Sequence, residues 1–71
     1  MVVEIRLKNN KWEKIEGETL DMRVMDGFLT VKEKDESCKV VSVNMFSVDE
    51  VSFAVIKESD STGVIKKYLN K

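Results

Sequence analysis

The segment Asp21-Met22-Arg23-Val24-Met25-Asp26-Gly27-Phe28-Leu29-Thr30-Val31-Lys32 decides the fold class. Asp26-Gly27 supplies the positive φ angles that a two-residue hairpin turn requires. Pairing Met25 with Phe28 sets Val24 opposite Leu29 and Met22 opposite Val31 on one face, and Arg23 opposite Thr30 and Asp21 opposite Lys32 on the other. Apolar meets apolar and acid meets base, the combination that stabilises an antiparallel ribbon. Met25 and Phe28 fall on the face away from Val24 and Leu29. Either Trp12 or the C-terminal tail covers that end of the ribbon, or it is an apolar patch open to a partner.

Beyond Val31 the same logic sets the next connection. A three-residue loop of Asp35, Glu36 and Ser37 places Glu33 opposite Lys39, Val31 opposite Val41 and Leu29 opposite Val43. A two-residue loop would set Lys32 against Lys39, so the longer loop is favoured by charge and by burial. Ser47-Val48-Asp49-Glu50 has the spacing of a capping box and predicts one helical turn near residues 47–50. A strand follows with Val51, Phe53 and Val55 on one face, then the polar loop Glu58 to Gly63. Val64, Ile65, Tyr68 and Leu69 form a helical stripe, but a further strand fits the same residues, and Gly63 favours the strand.

On the N-terminal side, Val3, Ile5 and Leu7 alternate with Glu4, Arg6 and Lys8, which marks a half-buried strand ending at Asn9-Asn10. From Lys11 to Glu18 the alternation fails, and the segment reads as an irregular edge strand or a loop lying over the core. Val and Ile together number fifteen against five for Ala plus Leu, a balance that favours strands. No composition shift or repeat divides the chain, so residues 1–71 are expected to form a single small β domain.

The expected fold is all-β and mainly antiparallel. Five or six short consecutive strands, with one helical turn before the fifth, suit a small SH3-like or Sm-like barrel or a curled meander. Val3-Glu4-Ile5-Arg6-Leu7-Lys8-Asn9-Asn10, continued by Gly17 and Asp21-Met22, resembles the first half of an Sm-type motif. The second half, with its glycine-containing basic strand, has no counterpart in this chain, so RNA binding is not carried over.

Composition narrows the chemistry. The chain of 71 residues has no histidine, no proline and one cysteine. Without histidine, acid–base work near neutral pH would need a carboxylate or lysine shifted by burial, so no catalytic residue is assigned. Cys38 cannot form an internal disulfide and has no base beside it; Lys39 would point to the opposite face of a strand. The acidic pairs Glu16/Glu18, Asp35/Glu36, Asp49/Glu50 and Glu58/Asp60 read as solvated turns, and neither metal nor cofactor is expected. The three glycines are scattered and form no phosphate loop. Apolar runs are too short to span a membrane, and Glu4 stands where a signal peptide would be basic and then greasy, which points to the cytoplasm. With no disulfide or zinc to brace a thin core, self-association is the remaining reinforcement.

Charge is unevenly spread: four basic against two acidic groups in residues 1–14, five against eleven in 15–60, and three against none in 61–71. An acidic middle opposes phosphate, so nucleic acid is the less favoured partner. The expected function is a non-catalytic protein-interaction module or small accessory subunit, self-associating through a strand edge as a homodimer. The alternative is a small nucleic-acid-binding barrel using Arg6, Lys8, Lys11, Trp12 and Lys14. Candidate partner-binding residues are Lys8, Lys11, Trp12, Lys14, Met25 and Phe28. Trp12 carries two competing expectations: that it caps an open end of the core, which is the favoured one, or that it belongs to a binding surface.

Overall fold

The computed structural model describes residues 1–59 and 63–70. In chain order these form β1 (Val2–Leu7), β2 (Trp12–Glu16), β3 (Thr19–Met25), β4 (Phe28–Lys34), β5 (Val40–Ser47), a 3-10 turn (Val48–Glu50), β6 (Val51–Lys57) and β7 (Val64–Leu69). Every strand pairing is antiparallel. The strands make a four-stranded sheet in the order β2-β1-β6-β7 and a three-stranded sheet in the order β3-β4-β5. Among the described residues no closed barrel is formed, and the strands number seven rather than five or six. The extra strand arises at Gly17-Glu18, where the chain leaves β2 in one sheet and enters β3 in the other. A Cβ at Gly17 would lie 2.9 Å from both the Glu33 carboxylate and a Leu20 methyl, the ends of two side chains that would have to shift to admit it. The Met1 amino group donates to the Gly17 carbonyl at 2.7 Å and fixes the bend to the start of β1.

The core lies between the sheets. Val3, Ile5, Val51, Ala54 and Ile56 from one sheet meet Leu20, Met22, Leu29 and Val31 from the other, and Leu7, Ile15, Phe46 and Tyr68 close its rim. The expected hairpin register is present throughout, from Met25 opposite Phe28 to Asp21 opposite Lys32. Asp26 and Gly27 take the required left-handed conformation at φ 54° and 82°. Residues 64–69 form a strand.

Three expectations give way to local irregularities. First, the β4–β5 register sets Val31 opposite Asn44 and Leu29 opposite Phe46, not opposite Val41 and Val43. The connection runs over five residues, 35–39, closed by Asp35 N–H to the Lys39 carbonyl at 2.9 Å, and Glu36, Ser37 and Cys38 lie within that closure in place of Asp35, Glu36 and Ser37. Cys38 takes the left-handed position at φ 64°, and the Asp35 carboxylate accepts the Ser37 and Lys39 N–H groups at 2.8 and 3.0 Å. Val41 is then left over between the pairs Lys34/Val40 and Glu33/Ser42, a bulge that reverses which side chains of β5 face the core.

Second, a bulge at Ser52 separates Phe53, opposite Arg6, from Val51, opposite Leu7. Val51, Ala54 and Ile56 therefore share the core, in place of Val51, Phe53 and Val55. Third, Ser47 makes no side-chain cap for the 3-10 turn. Asn70 holds that turn from the far end of the chain, its amide donating to the carbonyls of Val48 and Val51, both at 2.9 Å. Asp60, Ser61 and Thr62 of the acidic loop lie outside the described residues. No helix among the described residues is long and apolar enough to cross a membrane.

Candidate functional site

The six candidate residues separate into two groups on different sheets. Lys8 and Lys11 lie in the turn between β1 and β2, and Trp12 and Lys14 lie on β2; Met25 and Phe28 flank the turn between β3 and β4. The structure does not bring the groups together.

The first group is placed by the register of β1. Val3 and Ile5 face the core, so Glu4 and Arg6 face outward. Trp12 pairs with Arg6, Arg6 pairs on its other side with Phe53, and Phe53 pairs with Leu69. The result is one row across the outer face of the four-stranded sheet. Trp12 is 56 % exposed and does not cap the core, correcting the favoured expectation. The reason is parity: Ile15 is opposite Val3 and turns inward, so Trp12, three residues away, turns outward.

Arg6 donates to the Asn10 side-chain oxygen at 3.1 Å. Asn10 occupies the left-handed position at φ 69° in a turn closed by Leu7 N–H to the Lys11 carbonyl at 2.8 Å. Behind this row, Lys57 pairs with Glu4 at 2.6 Å, and Lys14 with Glu16 at 3.5 Å. Lys8 shares an open depression with Asp49 and Glu50. The cations of this face are thus interleaved with carboxylates, which weakens the field that a phosphate chain would feel.

The second group is larger than the sequence implied. Met25 and Phe28 face each other across the hairpin, 54 % and 41 % exposed. Phe28, Thr30 and Lys32 continue the outer face along β4, and β5 brings Met45 opposite Thr30 and Val43 opposite Lys32. Met45 and Val43 are 57 % and 50 % exposed. The outer face of the three-stranded sheet therefore carries Met25, Phe28, Met45 and Val43 beside an open strand edge. A small dimple of about 10 Å³ between Asp21, Arg23, Met25, Thr30 and Lys32 is too small for a ligand.

Sequence reasoning missed Val43 and Met45 because it lacked the Val41 bulge. One signal was available: Val40–Ser47 contains no charged residue, whereas each of the other six strands carries at least one. Among the described residues no polar or charged side chain is buried, and no three potential metal ligands gather. Cys38 is exposed on its loop. Comparison with protein-family models, curated proteins and solved structures returned no match.

Proposed function

We propose that this chain is a non-catalytic protein-interaction module that receives an extended protein segment along the open edge of β5. One observation carries the reading. β5 is an eight-residue edge strand without charge, and Val43 and Met45 turn away from the core. Edge strands exposed to water are ordinarily protected by lysine, proline, inward charges or a bulge; β5 has only the bulge at Val41, near its start, and Ser42–Ser47 has none of these. An incoming strand would satisfy its free backbone groups, while the apolar outer face beside it would select side chains.

The frame supporting this edge is an open SH3-like arrangement. In its favour, β1 pairs with β6, β3-β4-β5 forms a meander, and the 3-10 turn leads directly into β6. A cytoplasmic setting accords with the single exposed thiol. The test is partner capture by the immobilised protein, compared with a Val43→Lys/Met45→Lys variant. Both positions are exposed, so the variant should fold and lose capture; undiminished capture would refute the β5 assignment.

The second reading is a nucleic-acid surface built on Trp12, Arg6 and Phe53 with Lys8, Lys11 and Lys14 around it. Its support is the placement of Arg6 between two aromatic side chains on one sheet face, an arrangement suited to stacking bases. Retardation of a labelled single strand at low salt would favour it, because phosphate-driven binding is strongest there. The interleaved carboxylates lead us to expect weak or absent binding at physiological salt.

A further inference from the structure

We infer that the occupant of the β5 edge is a second copy of this chain, paired antiparallel through Ser42–Phe46 about a two-fold axis at Asn44. The inference deepens the reading of β5 as a docking edge and depends on it. Charge first selects which edge of a second copy can meet β5. The other strands at sheet edges carry Glu13, Lys14 and Glu16 on β2, Asp21 and Arg23 on β3, and Lys66 and Lys67 on β7. Any of these laid against β5 would set charged groups beside Val43 and Met45 with no counter-charge on β5. A second β5 meets the first without that penalty.

Symmetry and the bulge then narrow the register. A two-fold axis perpendicular to the sheet keeps outer faces together, so it must pass through a residue rather than between two. Pairing with β4 runs without interruption from Ser42 to Ser47, because the bulge ends at Val41. An axis at Val43 would force Val41 of the bulge into the ladder opposite Met45. Axes at Asn44 and at Met45 both use only the regular segment, and the self-pairing of the Asn44 amide selects the first, in which Val43 faces Met45 of the second copy twice and Ser42 faces Phe46 twice. Asn44 meets its own counterpart. Its exposed side-chain amide has no hydrogen bond within the described residues, and an amide carries both donor and acceptor, so two can bond reciprocally across the axis. Five paired residues bury less than the ~800 Å² per partner of a standard interface, the size class of weak and transient contacts.

Sedimentation over a concentration series tests the dimer, and cysteine pairs test its register. The wild type should dimerise, and Val43→Lys should weaken dimerisation by at least about tenfold by placing like charges beside the axis. In a Cys38→Ser background, Asn44→Cys sets two thiols face to face and should form an intermolecular disulfide readily. Val43→Cys sets its two thiols two positions apart, about 7 Å or more, and should cross-link at least about tenfold more slowly. A wild type that stays monomeric at millimolar concentration, a dimer indifferent to Val43→Lys, or faster cross-linking at position 43 than at 44 would each overturn the inference. If the wild type is monomeric but Val43→Lys abolishes capture of a different protein, only self-pairing fails and β5 remains a docking edge. If neither effect is seen, both fail.

Discussion

β1 and β5 both begin Val-Val, yet Val2 and Val3 are 2 % and 0 % exposed whereas Val40 and Val41 are 46 % and 58 % exposed. The more polar strand is the buried one: β1 carries Glu4 and Arg6, and β5 carries no charge. β1 lies between β2 and β6, while β5 has a neighbour on one side only. Burial in this chain follows strand order and register rather than the hydrophobicity of the strand itself. An apolar strand placed at an edge is then surface, not core.

The largest expected effect breaks that comparison most directly. Ile5→Ala removes a fully buried side chain from the core and should destabilise by roughly 2–5 kcal/mol, enough to unfold most of a domain of this size. Val43→Ala, of similar chemistry, should stay within about 0.5 kcal/mol in the monomer. Equal losses in chemical denaturation would show that β5 is buried after all. Next are the two turns that set the edges of β4. Gly27→Ala, at φ 82° with open space around it, should lose about 1 kcal/mol, and Cys38→Gly, at φ 64°, should gain a similar amount. Opposite signs in paired thermal melts check both turn geometries.

Trp12 extends the comparison to a second edge strand. Trp12→Ala should change stability by less than about 1 kcal/mol, and the free protein should emit like a solvent-exposed indole; blue-shifted emission would return Trp12 to the core. The smallest effect concerns charge on the interior strand. Glu4 and Lys57, with side chains 30 % and 24 % exposed, should couple by about 0.5 kcal/mol in a double-mutant cycle and less at high salt.

What could be read from the sequence was local. Asp26-Gly27 carries its own turn geometry, so every pair from Met25/Phe28 to Asp21/Lys32 follows from it. The alternation of β1 likewise placed Val3 and Ile5 in the core, and Gly63 correctly favoured a strand for residues 64–69. What escaped were single extra residues. Val41 and Ser52 each shift a register by one, and a shift of one exchanges the faces of everything beyond it. Val43 was therefore assigned to the core and Phe46 was not. Neither valine nor serine announces a bulge, because the bulge is set by how two strands must fit the core, not by the residue that occupies it. Trp12 was misplaced for a related reason: its environment depends on pairing with Arg6 rather than Ile5, and the irregular charges of Lys11 to Glu18 hide that choice.

The bulge at Ser52 and the clamp by Asn70 also bear on the order in which the molecule assembles. The Ser52 hydroxyl reaches the Arg6 carbonyl across 46 positions of sequence, and Asn70 reaches Val48 across 22. The β3-β4-β5 meander needs only short loops to close, and contacts local in sequence form faster than distant ones. β1 must wait for β6, and the 3-10 turn must wait for Asn70. The β5 edge therefore rests on contacts close in sequence, whereas the opposite sheet rests on contacts that span most of the chain.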